Sequence, residues 1–221
     1  GIAGAQNKGI LEAIKNNCDF VLLMDQDSFP QIDMVSELIF SYEQLMELGI
    51  KIAAVGPKVV NSFTKIPYES RIRKKEKYIV VDRLSLVNAL ISSGTLIKVE
   101  VFETIGFFNE KLFIDGVDHE WCWRALSKGY NCILSHDAIL EHNLGEGDRK
   151  LLGISISISS PFRIYYQYRN YIYLCRFNYV PLYWKFANFI KYLVKFFYYP
   201  AIISPRYLGR ILKGIKDGLL M

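Results

Sequence analysis

The sequence predicts an α/β domain, a sheet with helices packed against it, followed by a helical tail rich in aromatic and basic residues. Three observations predict it. Segments with helical apolar spacing alternate with short apolar runs bounded by turn residues. The run Phe20-Val21-Leu22-Leu23-Met24 ends abruptly in Asp25-Gln26-Asp27. Acids at the end of a buried strand lie where open α/β sheets hold their ligands. Charge also divides unevenly: residues 161–221 carry ten Lys or Arg and one acid, Asp217, a net +9. Residues 1–160 therefore hold −4 of the overall +5. An acidic body with a basic aromatic tail points to a membrane surface or polyanion as the tail's partner.

In chain order, residues 3–16 read as a helix with Ile2, Ala5, Ile10, Leu11 and Ile14 on its apolar face. The strand at 20–24 and the acidic turn follow. Pro30 suits the first turn of the next helix, where its missing N–H costs nothing. Met34, Leu38, Leu45, Met46 and Leu48 continue that helix to Gly49. Residues 52–57 form a short buried strand, and the helix–strand–helix–strand order implies a parallel sheet. Residues 61–83 are polar and basic, with Arg71-Ile72-Arg73-Lys74-Lys75 inside, and read as a solvated loop or small hairpin. The small residues Ser92-Ser93-Gly94-Thr95 mark a close approach of backbone to a neighbour. A short helix over 99–105 closes at Gly106, an aromatic loop covers 107–115, and a helix covers 118–129. Strands are expected at 130–134 and 139–142.

Composition narrows the class. With 51% apolar residues the chain has the means to build a core and is not disordered. Cys18, Cys122, Cys132 and Cys175 are scattered without C-x-x-C spacing. They read as reduced thiols in a cytosolic setting, not a disulfide frame or zinc site. The opening Gly1-Ile2-Ala3-Gly4-Ala5 carries no signal or transit pattern and reads like the middle of a domain, so an N-terminal portion is expected to be missing. Residues 184–203 are largely apolar but include Lys185, Lys191 and Lys195. Three lysines argue against a spanning helix and for one lying in the interface with its lysines reaching outward. The alternative is an ordinary amphipathic helix packed on the body. The tail has no recognisable nucleic-acid motif.

Three acidic places can carry chemistry. Asp25 and Asp27, two apart, point the same way if extended, and their repulsion is relieved by a hard divalent cation that also grips phosphate oxygens. They serve equally well as turn caps. Asp115, Asp118 and Glu120 cluster at a helix start, where the helix dipole alone favours acids. His142 follows an apolar strand, where a lone His is more often structural.

Taken in order, Gly-Ile-Ala-Gly-Ala-Gln-Asn-Lys-Gly (1–9), Leu-Leu-Met-Asp-Gln-Asp (22–27), Ser-Ser-Gly-Thr (92–95), Phe-Ile-Asp-Gly-Val-Asp-His-Glu-Trp-Cys-Trp-Arg (113–124), Glu-His-Asn-Leu-Gly (141–145) and Arg-Ile-Tyr-Tyr-Gln-Tyr-Arg-Asn (163–170) resemble the family 2 glycosyltransferases. Within them the chain is most similar to bacterial rhamnosyltransferases of surface polysaccharide synthesis. The resemblance implies a GT-A fold, with a Rossmann-like mixed sheet over residues 1–158 that lacks its first nucleotide-binding β-α-β unit. Residues 159–221 would be a membrane-associating helical region. It implies Mg²⁺ or Mn²⁺ at Asp25, Asp27 and His142, with Asp25, Gln6 and Asn7 on the nucleotide donor. Asp118 matches the general base, while Glu120, Trp121 and Gly94 match the acceptor side. Arg163 and Arg169 would approach a diphosphate or simply pack.

The implied activity is inverting transfer of a sugar, rhamnose from dTDP-rhamnose, to a lipid-linked or polysaccharide acceptor. Its place would be the inner face of the cell membrane, peripheral and cytoplasmic, with no nucleic-acid partner. With its first unit missing, the chain alone is expected to bind nucleotide poorly. Asp115 stands as an alternative carboxylate nucleophile. Two rival classes are a metal-dependent nucleotidyltransferase or phosphatase on a similar sheet, and a non-catalytic membrane-surface module.

Overall fold

The structure, a computed structural model, describes residues 1–67, 77–78, 81, 83–142, 148–151 and 154–221. The basic run at 71–75 and residues 143–145 lie outside the described residues. The chain divides into two compact units. The sheet unit takes Gly4–Phe108 and Asp118–Leu144, and the helical unit takes Gly1–Ala3, Asn109–Val117 and Gly145–Met221. Residues 109–117 group with the helical unit.

Helix α1 (Ile2–Lys15) ends where Asn17 turns into the left-handed region, a conformation Asn tolerates. Strand β1 (Phe20–Leu23) then pairs antiparallel with β6 (Thr95–Lys98), which pairs antiparallel with β3 (Ile52–Asn61). Because β1 and β3 both oppose β6, they run the same way. The parallel sense expected across helix α2 (Met34–Glu47) is therefore present, but β6 is inserted between the two strands. The sheet continues from β3 to β7 (Asn131–His142), its one directly parallel neighbour among the described strands. Beyond β7 lie β5 (Leu84–Val87) and β4 (Lys77–Tyr78), each antiparallel to its neighbour.

Two expectations change in the sheet. The strands predicted at 130–134 and 139–142 are one strand with a bulge. Ser135 faces Pro57 and Ile139 faces Lys58, so residues 136–138 are extra. Pro57 has no N–H to offer, and the ladder slips at that point. Pro30 does not open a helix either. It ends the edge strand β2 (Ser28–Pro30), which pairs with the last residues of β7, and Gln31 carries the pairing on by donating to the Ile139 carbonyl at 3.1 Å. The core lies where Met34, Leu38, Tyr42 and Leu45 of α2 cover Ile52, Val55, Leu96, Ile133 and Leu140 of the sheet. That packing holds the ends of β1, β2 and β7 in place.

The helical unit contains a hairpin of β8 (Asp148–Leu151) and β9 (Ile154–Ser157), then α5 (Pro161–Leu174), α6 (Leu182–Tyr198), a π-helical turn Tyr199–Ile203 and α7 (Arg206–Leu220). Ser160 caps α5 by accepting the Arg163 N–H at 3.2 Å, with Pro161 in the first turn. Helix α7 lies so close to α5 that a Cβ on Gly214 or Gly218 would stand 2.5–2.6 Å from a carbonyl oxygen of α5. Only glycine permits that approach.

Helix α6 is inside out. Its buried positions are Asn188 and Lys195, whereas Leu182, Phe186, Phe189, Ile190, Leu193, Val194 and Phe197 form an exposed stripe. The lysines were expected to reach outward, but two of the three turn in. Lys185 Nζ donates to the Cys175 and Phe177 carbonyls, both at 2.9 Å, and Lys195 Nζ donates to Gln167 Oε1 at 3.1 Å. Those carbonyls and that amide lie at or near α5, where they satisfy ammonium groups that the apolar flank of α6 cannot. Among the described residues, no helix is long and apolar enough to cross a membrane.

Candidate active site

The turn after β1 and the end of β7 bring Asp25, Asp27 and His142 together, one ligand atom from each lying within 4.8 Å of the others. The two acids meet through a turn, not an extended chain: the Ser28 N–H donates to the Asp25 carbonyl at 3.3 Å. His142 is buried, Asp25 half-buried and Asp27 exposed. Two carboxylate oxygens and one imidazole nitrogen suit Mg²⁺ or, with the nitrogen, Mn²⁺. With only three protein groups, a divalent cation there would keep positions for phosphate oxygens and water. The residues fit a divalent cation.

Behind this group lies a chain of hydroxyls. The Asp25 N–H meets Ser93 Oγ at 3.2 Å, Ser93 Oγ meets Ser28 Oγ at 2.8 Å, and Ser28 Oγ meets His142 Nδ1 at 2.8 Å. Neither serine was singled out as a site residue from the sequence. Ser28 follows the acids directly, but its pairing opposite His142 depends on the β2–β7 register.

Asp118 opens helix α4 (Val117–Ser127). One carboxylate oxygen accepts the His119 N–H at 2.8 Å and lies 2.9 Å from His119 Nδ1. Burial on its own pushes the Asp118 carboxyl up. The charge on His119 and its ring and backbone hydrogen bonds outweigh that, and hold the carboxyl below its ordinary value. Asp118 is thus held as an anion at neutral pH.

Two of the residues expected on the acceptor side, Glu120 and Trp121, are buried. Glu120 is buried and takes Arg124 in a two-point pair at 2.8 and 3.0 Å, while Arg124 also binds the Ile105 and Phe107 carbonyls. Trp121 is buried and donates to the Gly106 carbonyl at 2.8 Å. Both fix the 105–107 loop against α4. Gly94, at φ +78°, makes the close approach its small neighbours suggested, but to Pro57, whose ring would stand 2.5 Å from a Cβ there. On the expected donor side, Asn7 is buried and brackets Phe108, donating to its carbonyl and accepting its N–H, both at 2.9 Å. Gln6 keeps a buried Oε1 with no partner among the described residues.

In the helical unit, the arginines of α5 are engaged. Arg163 grips Asp115 at 2.7–3.1 Å, and that pairing raises the guanidinium further above its ordinary value. Arg169 binds the Leu112 carbonyl and lies 4.6 Å over the Tyr166 ring. Asn170 Nδ2 reaches the Leu112, Ile114 and Asp115 carbonyls at 2.8, 2.6 and 2.9 Å. These residues clamp the 111–115 loop, and the grip on Asp115 argues against a nucleophilic role for it.

The fold is the GT-A fold of nucleotide-sugar glycosyltransferases. The solved structure of S. aureus TarS 1–349 in complex with UDP-GlcNAc matches with a TM-score of 0.52 over 94% of this chain and 59% of that one, at 12% identity. Sequence adds a relative: the chain is 36% identical over 188 residues to the dTDP-rhamnosyl transferase RfbF of Shigella flexneri. That match takes in 82% of this chain and 62% of the relative's length. No family model matches. The fold is thus GT-A-like, and the chain is similar in sequence to a bacterial rhamnosyltransferase of which it spans 62%.

Proposed function

We propose that this chain is the catalytic body of a metal-dependent, inverting glycosyltransferase that moves rhamnose from dTDP-rhamnose to a lipid-linked or polysaccharide acceptor. The observation that carries the reading is the meeting of Asp25, Asp27 and His142 at the sheet edge, in a relative of a dTDP-rhamnosyl transferase. Asp118 takes the proton of the acceptor hydroxyl as its oxygen bonds the anomeric carbon. The bond from that carbon to the diphosphate breaks, and its electron pair leaves with the diphosphate. A bound Mg²⁺ or Mn²⁺ supplies neutralising charge for that leaving group. Asp25, Asp27 and His142 would hold the cation, with Asp25 toward the donor diphosphate and Gln6 toward the nucleotide. Glu120 and Trp121 act on the acceptor side through the loop they fix.

The helical unit supports a peripheral place at the inner face of the cell membrane. An exposed stripe of Phe, Leu and Ile on a helix whose polar residues turn inward suits a lipid interface. Within the helical unit, Arg210 and Lys213 line a cavity of about 220 Å³ with Phe162, Tyr165 and Tyr166. The test is transfer from a panel of nucleotide sugars to a lipid-linked acceptor with and without EDTA. Turnover confined to other donors would refute the rhamnosyl assignment, and nucleotidyl transfer in its place would favour the rival enzyme class.

A further inference from the structure

We propose that Arg210 and Lys213 of α7, with the aromatic residues of α5 beside them, form a binding site for a phosphate group, taken as a terminal phosphate or a diphosphate. The two cations line a cavity of about 220 Å³ together with Phe162, Tyr165 and Tyr166. All five residues belong to the helical unit. Arg210 and Lys213 stand three apart on one helix and so share a flank. Each directly precedes a buried residue of α7, Ile211 and Gly214. Ile211 packs in one cluster with Ile164 and Tyr168 of α5, and Gly214 sits where a Cβ would stand 2.5 Å from the Tyr165 carbonyl oxygen. That close seam holds the two cations beside the tyrosine rings. Lys213 Nζ lies 5.7 Å from the centre of the Tyr165 ring.

Two like charges on one cavity repel, and an anion between them relieves the repulsion. Neither cation is in an ion pair among the described residues. The acid placed to neutralise Lys213 is Asp217, one turn further along α7. Its carboxylate is taken by the Tyr165 hydroxyl, which donates to Asp217 Oδ2 at 2.7 Å. The Lys213 ammonium is thereby left for a ligand. Arg169 adds a third positive charge, 4.6 Å over the Tyr166 ring. Three cations against one engaged carboxylate suit a terminal phosphate, which brings close to two negative charges, better than a carboxylate with one. The Arg210 fork can hold two phosphate oxygens while Lys213 acts as a point charge. The walls are fixed beforehand. Tyr166 stacks on Phe113 with ring centres 4.8 Å apart and meets Phe162 edge-on at 4.9 Å, so little side-chain freedom is lost on binding. Leu208, Leu212 and Leu219 are exposed on another flank of α7, which favours a lipid as carrier of the phosphate.

The experiment uses the full-length gene product in EDTA, so that no cation at Asp25, Asp27 and His142 can hold the probe. Inorganic diphosphate is titrated in by calorimetry, and sedimentation is measured with phosphatidylcholine vesicles with and without phosphatidic acid. Neither readout depends on sugar transfer. The wild type is expected to bind diphosphate, and Arg210→Gln with Lys213→Gln should weaken that binding about tenfold or more, as the loss of charge-assisted hydrogen bonds requires. Arg206→Gln with Lys216→Gln removes the same charge from exposed positions of α7 outside the cavity and should change the affinity far less. Tyr165→Phe removes no cation but frees Asp217 for Lys213, and it should also weaken binding. Diphosphate displaced by the phosphatidic acid vesicles assigns the site to a lipid headgroup. Diphosphate that those vesicles leave bound assigns it to a soluble phosphate. A wild type that binds neither diphosphate nor phosphatidic acid overturns the site. So do equal losses in the two charge-removing pairs, which would make the attraction one of overall charge.

Discussion

Asp118 has what a general base needs: one oxygen held by His119 and a charge kept on the carboxyl. Asp118→Asn keeps the shape and removes the base. Transfer should fall by about 10²–10⁴-fold with donor affinity little changed, measured as kcat against donor Kd. Because the folded carboxyl sits below its ordinary value, the base stays ionised as pH falls through the usual carboxylate range. The acid limb of kcat/KM should therefore lie below the ordinary carboxylate range. His119→Ala removes the charge and ring hydrogen bond that lower it, so the limb should move upward. An unmoved limb in that variant would assign it to another group. At this scale the sequence was legible where chemistry and order coincide. Asp25, Asp27 and His142 meet at element ends, whereas the contacts of Asn7 and Trp121 to backbone and of Glu120 to Arg124 are not revealed by residue type. A buried amide and a ligand-binding amide are the same letter, and only the Phe108 backbone beside Asn7 separates them.

Among the elements, helix α5 and helix α6 carry separate consequences. Asn170 serves three carbonyls of the 112–115 loop, and Asn170→Ala would take a donor from each, with only that of Leu112 still held by Arg169. Its expected cost is about 1–3 kcal/mol, read as a lower denaturant midpoint with an unchanged slope. The motif around it was visible in the sequence, but its use as a loop clamp depends on where the loop goes. For α6, Phe186→Glu with Leu193→Glu should abolish sedimentation with anionic vesicles and leave the far-ultraviolet circular dichroism unaltered, since both positions are exposed. Retained vesicle binding would remove α6 from the membrane contact. The apolar length of α6 was plain from the sequence, but the direction of its lysines was not. An ammonium group turns inward only if carbonyls and an amide await it, as at Cys175, Phe177 and Gln167. The sheet shows the same limit. The βαβ rule gave β1 and β3 their common direction, yet the insertion of β6 between them is a long-range pairing that local pattern does not encode.

For the whole molecule, stability against pH and turnover are the measures. Burial lowers the Lys195 ammonium to about 8. Between pH 8 and the unfolded lysine value near 10.4, the unfolded chain binds the extra proton, so stability rises with pH there. Above about pH 10 the buried tyrosines Tyr168, Tyr171 and Tyr192 act the other way, since burial keeps them protonated while the unfolded phenols ionise. The Cys132 thiol, raised by its hydrogen bond with Cys122, and the Cys175 thiol, raised by burial, also oppose the lysine between pH 8 and pH 10. The lysine is therefore read by difference: the change in urea midpoint from pH 8 to pH 10 should be more positive in the wild type than in Lys195→Met, and an equal change in both would place its cause elsewhere. Function is tested most directly by turnover of dTDP-rhamnose by the full-length gene product, with Mn²⁺ and with EDTA, in the wild type and in Asp118→Asn. The account predicts rhamnosyl transfer that needs the metal and is lost in Asp118→Asn while nucleotide binding persists. Transfer that survives EDTA, or that persists undiminished in Asp118→Asn, would contradict it.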